Sequence, residues 1–227
     1  MKNLRKRTLV TKNIMTRMSE GIKNQASIGN HEDSIHLEHD HDHDNEDSES
    51  SGVEVDENKI YFYSMIGEKE ILELNRIVKR LDVEMQYLGM RLNCVSPPVE
   101  IHIHSPGGSI FAGLSAFDTI KKCKSEIHTY VEGSAASAAT LISAAGTKRF
   151  IYKNAFMLIH QPQLAWSGKH DEFLDEIENQ KKIYRKILDV YLEKVKISEE
   201  KLIEMMNHEL WIDAEQAIEL GFADEIY

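Results

Sequence analysis

Twice between residues 99 and 146 a β-branched run passes, through a turn of glycine and other small residues, into a stretch with helical spacing. "VEIHIHS" leads through "PGGS" into "IFAGLSAFDTIKKC", and "EIHTYVEG" leads into "SAASAATLISAAG". Parallel strands cannot be joined by a tight turn; they need a crossover of a dozen or more residues, which a helix supplies. The flanks continue the alternation. "NKIYFYSMI" precedes a stretch in which Ile71, Leu72, Leu74, Ile77, Val78, Leu81, Met85 and Leu88 recur at helical spacing, and "SPP" at 96–98 separates it from the next strand. Short strands "RFIY" and "AFMLIH" follow, then a long amphipathic helix over about 169–196 bearing Phe173, Leu174, Ile177, Ile183, Ile187, Leu188 and Tyr191. A small helix, "AEQAIELG", and the strand-like "FADEIY" close the chain. The pattern predicts an α/β fold of βαβ units with a protruding long helix.

Charge divides the chain. Residues 1–30 hold seven Lys or Arg against one Glu, whereas residues 31–58 hold twelve Asp or Glu and no Lys or Arg. So charged a stretch buries too little apolar surface to offset the entropy of ordering it, and residues 1–57 are expected to be a disordered tail. Within it "HLEHDHDHD" offers His39, His41 and His43 to divalent ions. Alternating ligands on a flexible chain give no preset geometry, however, so the segment reads as solvated acid and no metal site is assigned. The basic, acid-poor opening has the composition of an organellar targeting peptide as well as of a plain basic arm. No apolar core of a secretory signal follows it.

The whole chain carries a net charge of −11, which argues against a general nucleic-acid binder. It contains no Walker pattern, so ATP hydrolysis is not expected of it, and no apolar run long enough to span a membrane. Cys94 and Cys123 lie 29 positions apart with no CxxC, the usage of a reducing compartment, and read as two ordinary buried thiols.

The Gly-rich strand ends are where a ligand would sit. A helix N-terminus presents unpaired N–H groups with partial positive charge, which suit the oxyanion formed when a serine attacks a carbonyl. Ser137, flanked by Ala135, Ala136, Ala138 and Ala139, has room beside it for a peptide, whereas Ser134 reads as an N-cap. The setting is not the GxSxG elbow, and a tightly packed small-residue helix explains the same residues. His160 ends the apolar run "AFMLIH" and would be delivered to the same strand-end cleft; His102 and His104 alternate along one strand face and read as packing or edge residues.

Taken in order, "SPGGS", "GSAASAATLISAAG", "IHQP" and "AEQAIELGFADEI" resemble the ClpP family of self-compartmentalising serine peptidases, over about residues 59–227. The resemblance implies a crotonase-like fold for residues 58–227, a Ser-His-Asp type site, no cofactor, and heptameric rings stacked in pairs around a chamber. It puts the nucleophile on Ser137, the general base on His160, and the oxyanion hole on the backbone N–H groups of Gly108 and Ala138. It implies hydrolysis of unfolded polypeptides in the cytoplasm, delivered by a separate AAA+ unfoldase. A capsid-maturation protease of the same fold, a catalytically silent ring subunit, an organellar location and a CoA-thioester enzyme remain as alternatives.

The family's acid falls on Glu209, a Glu where the pattern has Asp. Asp213 is the neighbouring substitute, but "DAEQ" has the form of a capping box, with Asp213 capping and Gln216 its partner. Asp224, in a turn near the end of the sequence, ranks third. The family's short N-terminal segment is replaced by the charged tail, and its glycine pair after "QP" by "QLAWSGK". The long helix resembles the one through which the rings interlock, although its apolar stripe also suits an intramolecular core face.

Overall fold

The computed structural model describes residues 52–163 and 167–227. The disorder expected of the charged tail therefore falls, for residues 1–51, outside the described residues. Its last residues are a strand. β1 (Val53–Asp56) pairs antiparallel with β2 (Lys59–Phe62), burying Val53 and leaving Glu54 and Asp56 exposed. The alternation of Val with acids over residues 53–56 is a strand signal that the high acid count of residues 31–58 concealed.

The sheet runs β1-β2-β3-β4-β5-β8, with β6 and β7 branching from β4. β2, β3 (Val99–Ser105), β4 (Ile127–Ala136), β5 (Lys148–Ile151) and β8 (Glu225–Ile226) are parallel along this path. The expected helices cross between them: α1 (Glu68–Leu92), α2 (Ile110–Lys121) and α3 (Ala139–Ala145). α1 buries Ile71, Leu74, Val78, Leu81, Met85 and Leu88 against the sheet, whereas Leu72, from the same periodic set, is exposed and Ile77 is half-buried. It ends at Asn93 in the left-handed conformation, which lifts Cys94 into solvent. Cys123 is half-buried, so the two thiols are not the buried pair expected from composition.

α3 is buried on every side, which its Ala and Ser content permits, and Thr140 Oγ1 meets Tyr191 Oη at 2.6 Å. Tyr191 belongs to α4 (His170–Leu192), whose buried residues all lie in its last turns, among them Ile187, Leu188 and Tyr191; Phe173 and Leu174 at its other end are exposed. The stripe is thus core at one end and open surface at the other. α5 (Glu199–Met206), capped by Ser198, and β7 (Trp211–Ile212) precede α6 (Ala214–Leu220).

One irregularity positions the site. β3 and β4 stay in register from Val99↔Ile127 to Ile103↔Val131, then resume at Ser105↔Ala135, so β4 carries two extra residues. The bulge, with Gly133 at φ +66°, bends the strand. Before it β4 pairs with β5, and after it with β6 (Phe156–Leu158), through Ser134↔Phe156, Ala135↔Met157 and Ala136↔Leu158. The carboxyl end of β4 is thereby handed to the strand that leads to His160. Among the described residues no helix is long and apolar enough to cross a membrane, and no group of three or more His, Cys, Asp or Glu could hold a metal ion.

Candidate active site

Ser137 follows β4 directly and precedes α3. Its φ is +53°, a left-handed conformation that non-glycine residues seldom adopt, and its N–H is held by Leu158 O at 2.8 Å. A strained residue over-determined by its surroundings at a strand-to-helix junction is a common device for presenting a side chain. The Ser134 expectation is corrected. It lies inside β4, its N–H donated to His104 Nδ1 at 3.2 Å, and the N-cap of α3 is Ala138. Gly133 suggested a strand end, but the strand continues through the bulge for three more residues.

The "SPGGS" turn packs against Ser137. A Cβ on Gly107 would lie 2.7 Å from Ser137 Cβ and 2.6 Å from Ala136 O, so only glycine permits this approach. The turn is held by Ile66, whose N–H donates to Gly107 O at 2.8 Å and whose carbonyl accepts from Ser109 N at 2.8 Å. In this parallel bridge the N–H of Gly108 itself faces away from Ile66. Neither the Gly108 N–H nor the Ala138 N–H has a hydrogen-bond partner among the described residues, so both remain available to an oxyanion. Ser109 caps α2 by accepting from Ala112 N at 3.3 Å.

His160 lies two residues beyond β6, beside the end of β4. Its side chain is 13% exposed, and Nδ1 stands 3.4 Å from Glu209 Oε1, whose own side chain is 67% exposed. The pairing follows from the antiparallel β6–β7 register, Met157↔Ile212 and Leu158↔Trp211; continued two residues, it sets Glu209 opposite His160. Gln161 N donates to Met206 O at 3.0 Å and ties the segment after His160 to the end of α5. The contact between His160 and Glu209 is loose, and no hydrogen bond joins His160 to Ser137 among the described residues, as is common when no substrate is bound.

The rival acids are engaged elsewhere. Asp213 Oδ1 accepts from Gln216 N at 2.8 Å while Gln216 Oε1 accepts from Asp213 N at 3.1 Å, the capping box read from "DAEQ". Asp224 holds Arg149, which is 5% exposed: Nη2 donates to Oδ1 at 2.5 Å and Nε to Oδ2 at 3.1 Å, while Nη1 reaches Gly221 O at 2.7 Å. Burial alone would raise the Asp224 pKa; the Arg149 hydrogen bonds and charge outweigh it and hold the carboxyl below its ordinary value. Of the two strand histidines, His102 stacks between Tyr61 and Tyr130 with Nδ1 2.6 Å from Glu132 Oε1. His104 Nδ1 accepts from the bulge, as above. Glu132 also accepts from the Tyr63 hydroxyl, and burial together with that bond pushes the Tyr63 phenol up to about 12. None of these groups is hydrogen-bonded to Ser137 among the described residues. Sequence reading missed Gln163, which donates to Glu209 Oε1 at 3.3 Å. The one signal for it was its place three residues after His160.

Comparison with known proteins gives a consistent answer. The family model described as Clp protease matches residues 56–227. The ATP-dependent Clp protease proteolytic subunit 1 of Chlamydia muridarum is 32% identical over 76% of this chain and 87% of its own. The ATP-dependent Clp protease proteolytic subunit of Lactococcus lactis is 35% identical over 56% of this chain and 66% of its own. Among solved structures, a ClpP1 mutant from Listeria monocytogenes superposes with a TM-score of 0.61 at 25% identity, covering 73% of this chain and 88% of that one.

Proposed function

The chain belongs to the Clp protease family, and from that premise we propose that it is a serine-type endopeptidase with Ser137 as nucleophile, His160 as general base and Glu209 as the acid that orients it. The observation that carries this reading is the strained Ser137, beside two unpartnered N–H groups and next to the strand end that leads to His160. Imidazole Nε2 takes the Ser137 hydroxyl proton as Oγ attacks the scissile carbonyl. The Gly108 and Ala138 N–H groups hold the oxyanion, and the imidazolium returns the proton to the leaving amine. Water then enters and loses a proton to His160 as it attacks the acyl carbonyl, and the imidazolium gives that proton to Ser137 Oγ as the bond to the acyl group breaks. Glu209 stabilises the imidazolium in both steps.

The substrates are unfolded polypeptides, delivered in the cytoplasm by a separate ATP-driven unfoldase. This chain has no Walker pattern, while its relatives are named ATP-dependent. Subunits assemble into rings around a chamber. Exposed Met65 and Phe111, and the exposed Phe173 and Leu174 on the open end of α4, support such assembly and pairing of rings. The peptidase domain begins at β1, five residues before the start read from charge.

A fluorophosphonate probe with a short fluorogenic peptide tests the chemistry. The wild-type chain should label and cleave without ATP, Ser137→Ala should do neither, and Ser134→Ala should do both. Equal loss in both variants with assembly intact would overturn the assignment of Ser137.

A further inference from the structure

A Glu in the third position of a triad poses a mechanical problem. It has one more rotatable bond than Asp, and Glu209 stands mostly in solvent, where an ion pair with a long side chain is weak because screening and side-chain entropy oppose it. The carboxylate needs a second tether to stay on the imidazole. One oxygen, Oε1 of Glu209, lies 3.4 Å from His160 Nδ1 and accepts from Gln163 Nε2 at 3.3 Å. A carboxylate only accepts hydrogen bonds, so the amide nitrogen of Gln163 must face it. Gln163 is exposed, but the Gln161 N–H to Met206 O bond fixes the backbone two residues before it, on the same side as the segment leading to Glu209.

We propose that Gln163 is a positioning residue for the hydrolysis: its side-chain amide pins the Glu209 carboxylate against His160, supplying the restraint that the longer acid lacks. This rests on the triad reading above. The amide is neutral, so it restricts Glu209 without competing for the charge that stabilises the imidazolium. A Lys or Arg at 163 would neutralise that charge. Among the described residues no hydrogen bond joins Gln163 to the nucleophile or the base, so its effect belongs in the chemical step and passes through Glu209.

The test is a double-mutant cycle on the full chain with a short peptide, assembly being checked for each variant. Gln163→Leu, which keeps the bulk and removes the donor, should lower kcat about 3- to 10-fold with KM unchanged, and Gln163→Lys should lower it further. In a Glu209→Gln background Gln163→Leu should have no further effect. An unchanged kcat in Gln163→Leu overturns the proposal, as does an equal fall in both backgrounds or a fall confined to KM; Ser137 and His160 would keep their roles in each case. If Glu209→Gln itself keeps full activity, the triad reading of Glu209 fails and the proposal with it. Full activity in Ser137→Ala would identify a failure of the wider reading instead.

Discussion

Glu209 and Asp213 stand four residues apart, and what separates them is the strand between them. The β6–β7 register sets Glu209 opposite His160, while Asp213, past the end of β7, spends its carboxylate on the first turn of α6. Replacing Glu209 by Gln keeps the shape and removes the charge, and kcat on a short peptide should fall by a factor on the order of 10–10⁴. Asp213→Asn should leave kcat within about twofold, since Asn remains a good N-cap. The reverse outcome, with both variants assembled, would give Asp213 the third role. Residue identities were legible where chemistry is local: the capping box is written in four consecutive letters. Ser134 was misread because a two-residue bulge carries the strand past a glycine that looks like its end. Gln163 was invisible because its partner lies 46 positions away.

The proposed oxyanion hole joins a turn to a helix start, and the turn is held by Ile66. A Cβ on Gly108 would meet Ile66 O at 2.5 Å, and its φ of +148° strains any side chain. Gly108→Ala should therefore displace the N–H and cost roughly 2.7–4 kcal/mol in the transition state, about 10²–10³ in kcat, with labelling by the fluorophosphonate probe slowed in parallel. An unimpaired variant would remove Gly108 from the oxyanion hole. At the other end of the domain, removing residues 1–51 should leave peptide cleavage and Tm unchanged, whereas removing residues 1–57 deletes β1 and should lower Tm by several degrees. Equal Tm values for the two truncations would show that β1 contributes nothing. Long periodic elements such as α1 were readable from sequence; α5 and β7 were not, because eight and two residues give too short a period to count.

At the scale of the molecule, the final strand is locked to the sheet by Asp224 and the buried Arg149. Because the Asp224 carboxyl is held below its ordinary value, its contribution is fully present above about pH 4 and is lost as pH falls through the lower folded value. Asp224→Asn should cost about 1–3 kcal/mol at pH 7, and its Tm should converge on that of the wild type as the pH drops below about 4. A gap that persists at low pH would assign the effect to lost packing. The alternation of strands and helices made this architecture legible, but the branch at β4 was not, since it depends on pairing between distant segments. That branch also imposes a schedule on biosynthesis. Ser137 emerges about seventy residues before Glu209, and β7 cannot dock on β6 until both have been translated. At about 5–20 residues per second, the growing polypeptide spends roughly 4–14 s carrying the proposed nucleophile without its proposed acid. A chain aborted in that interval would lack the proposed acid, so the fold postpones the proposed chemistry until β7 has been made.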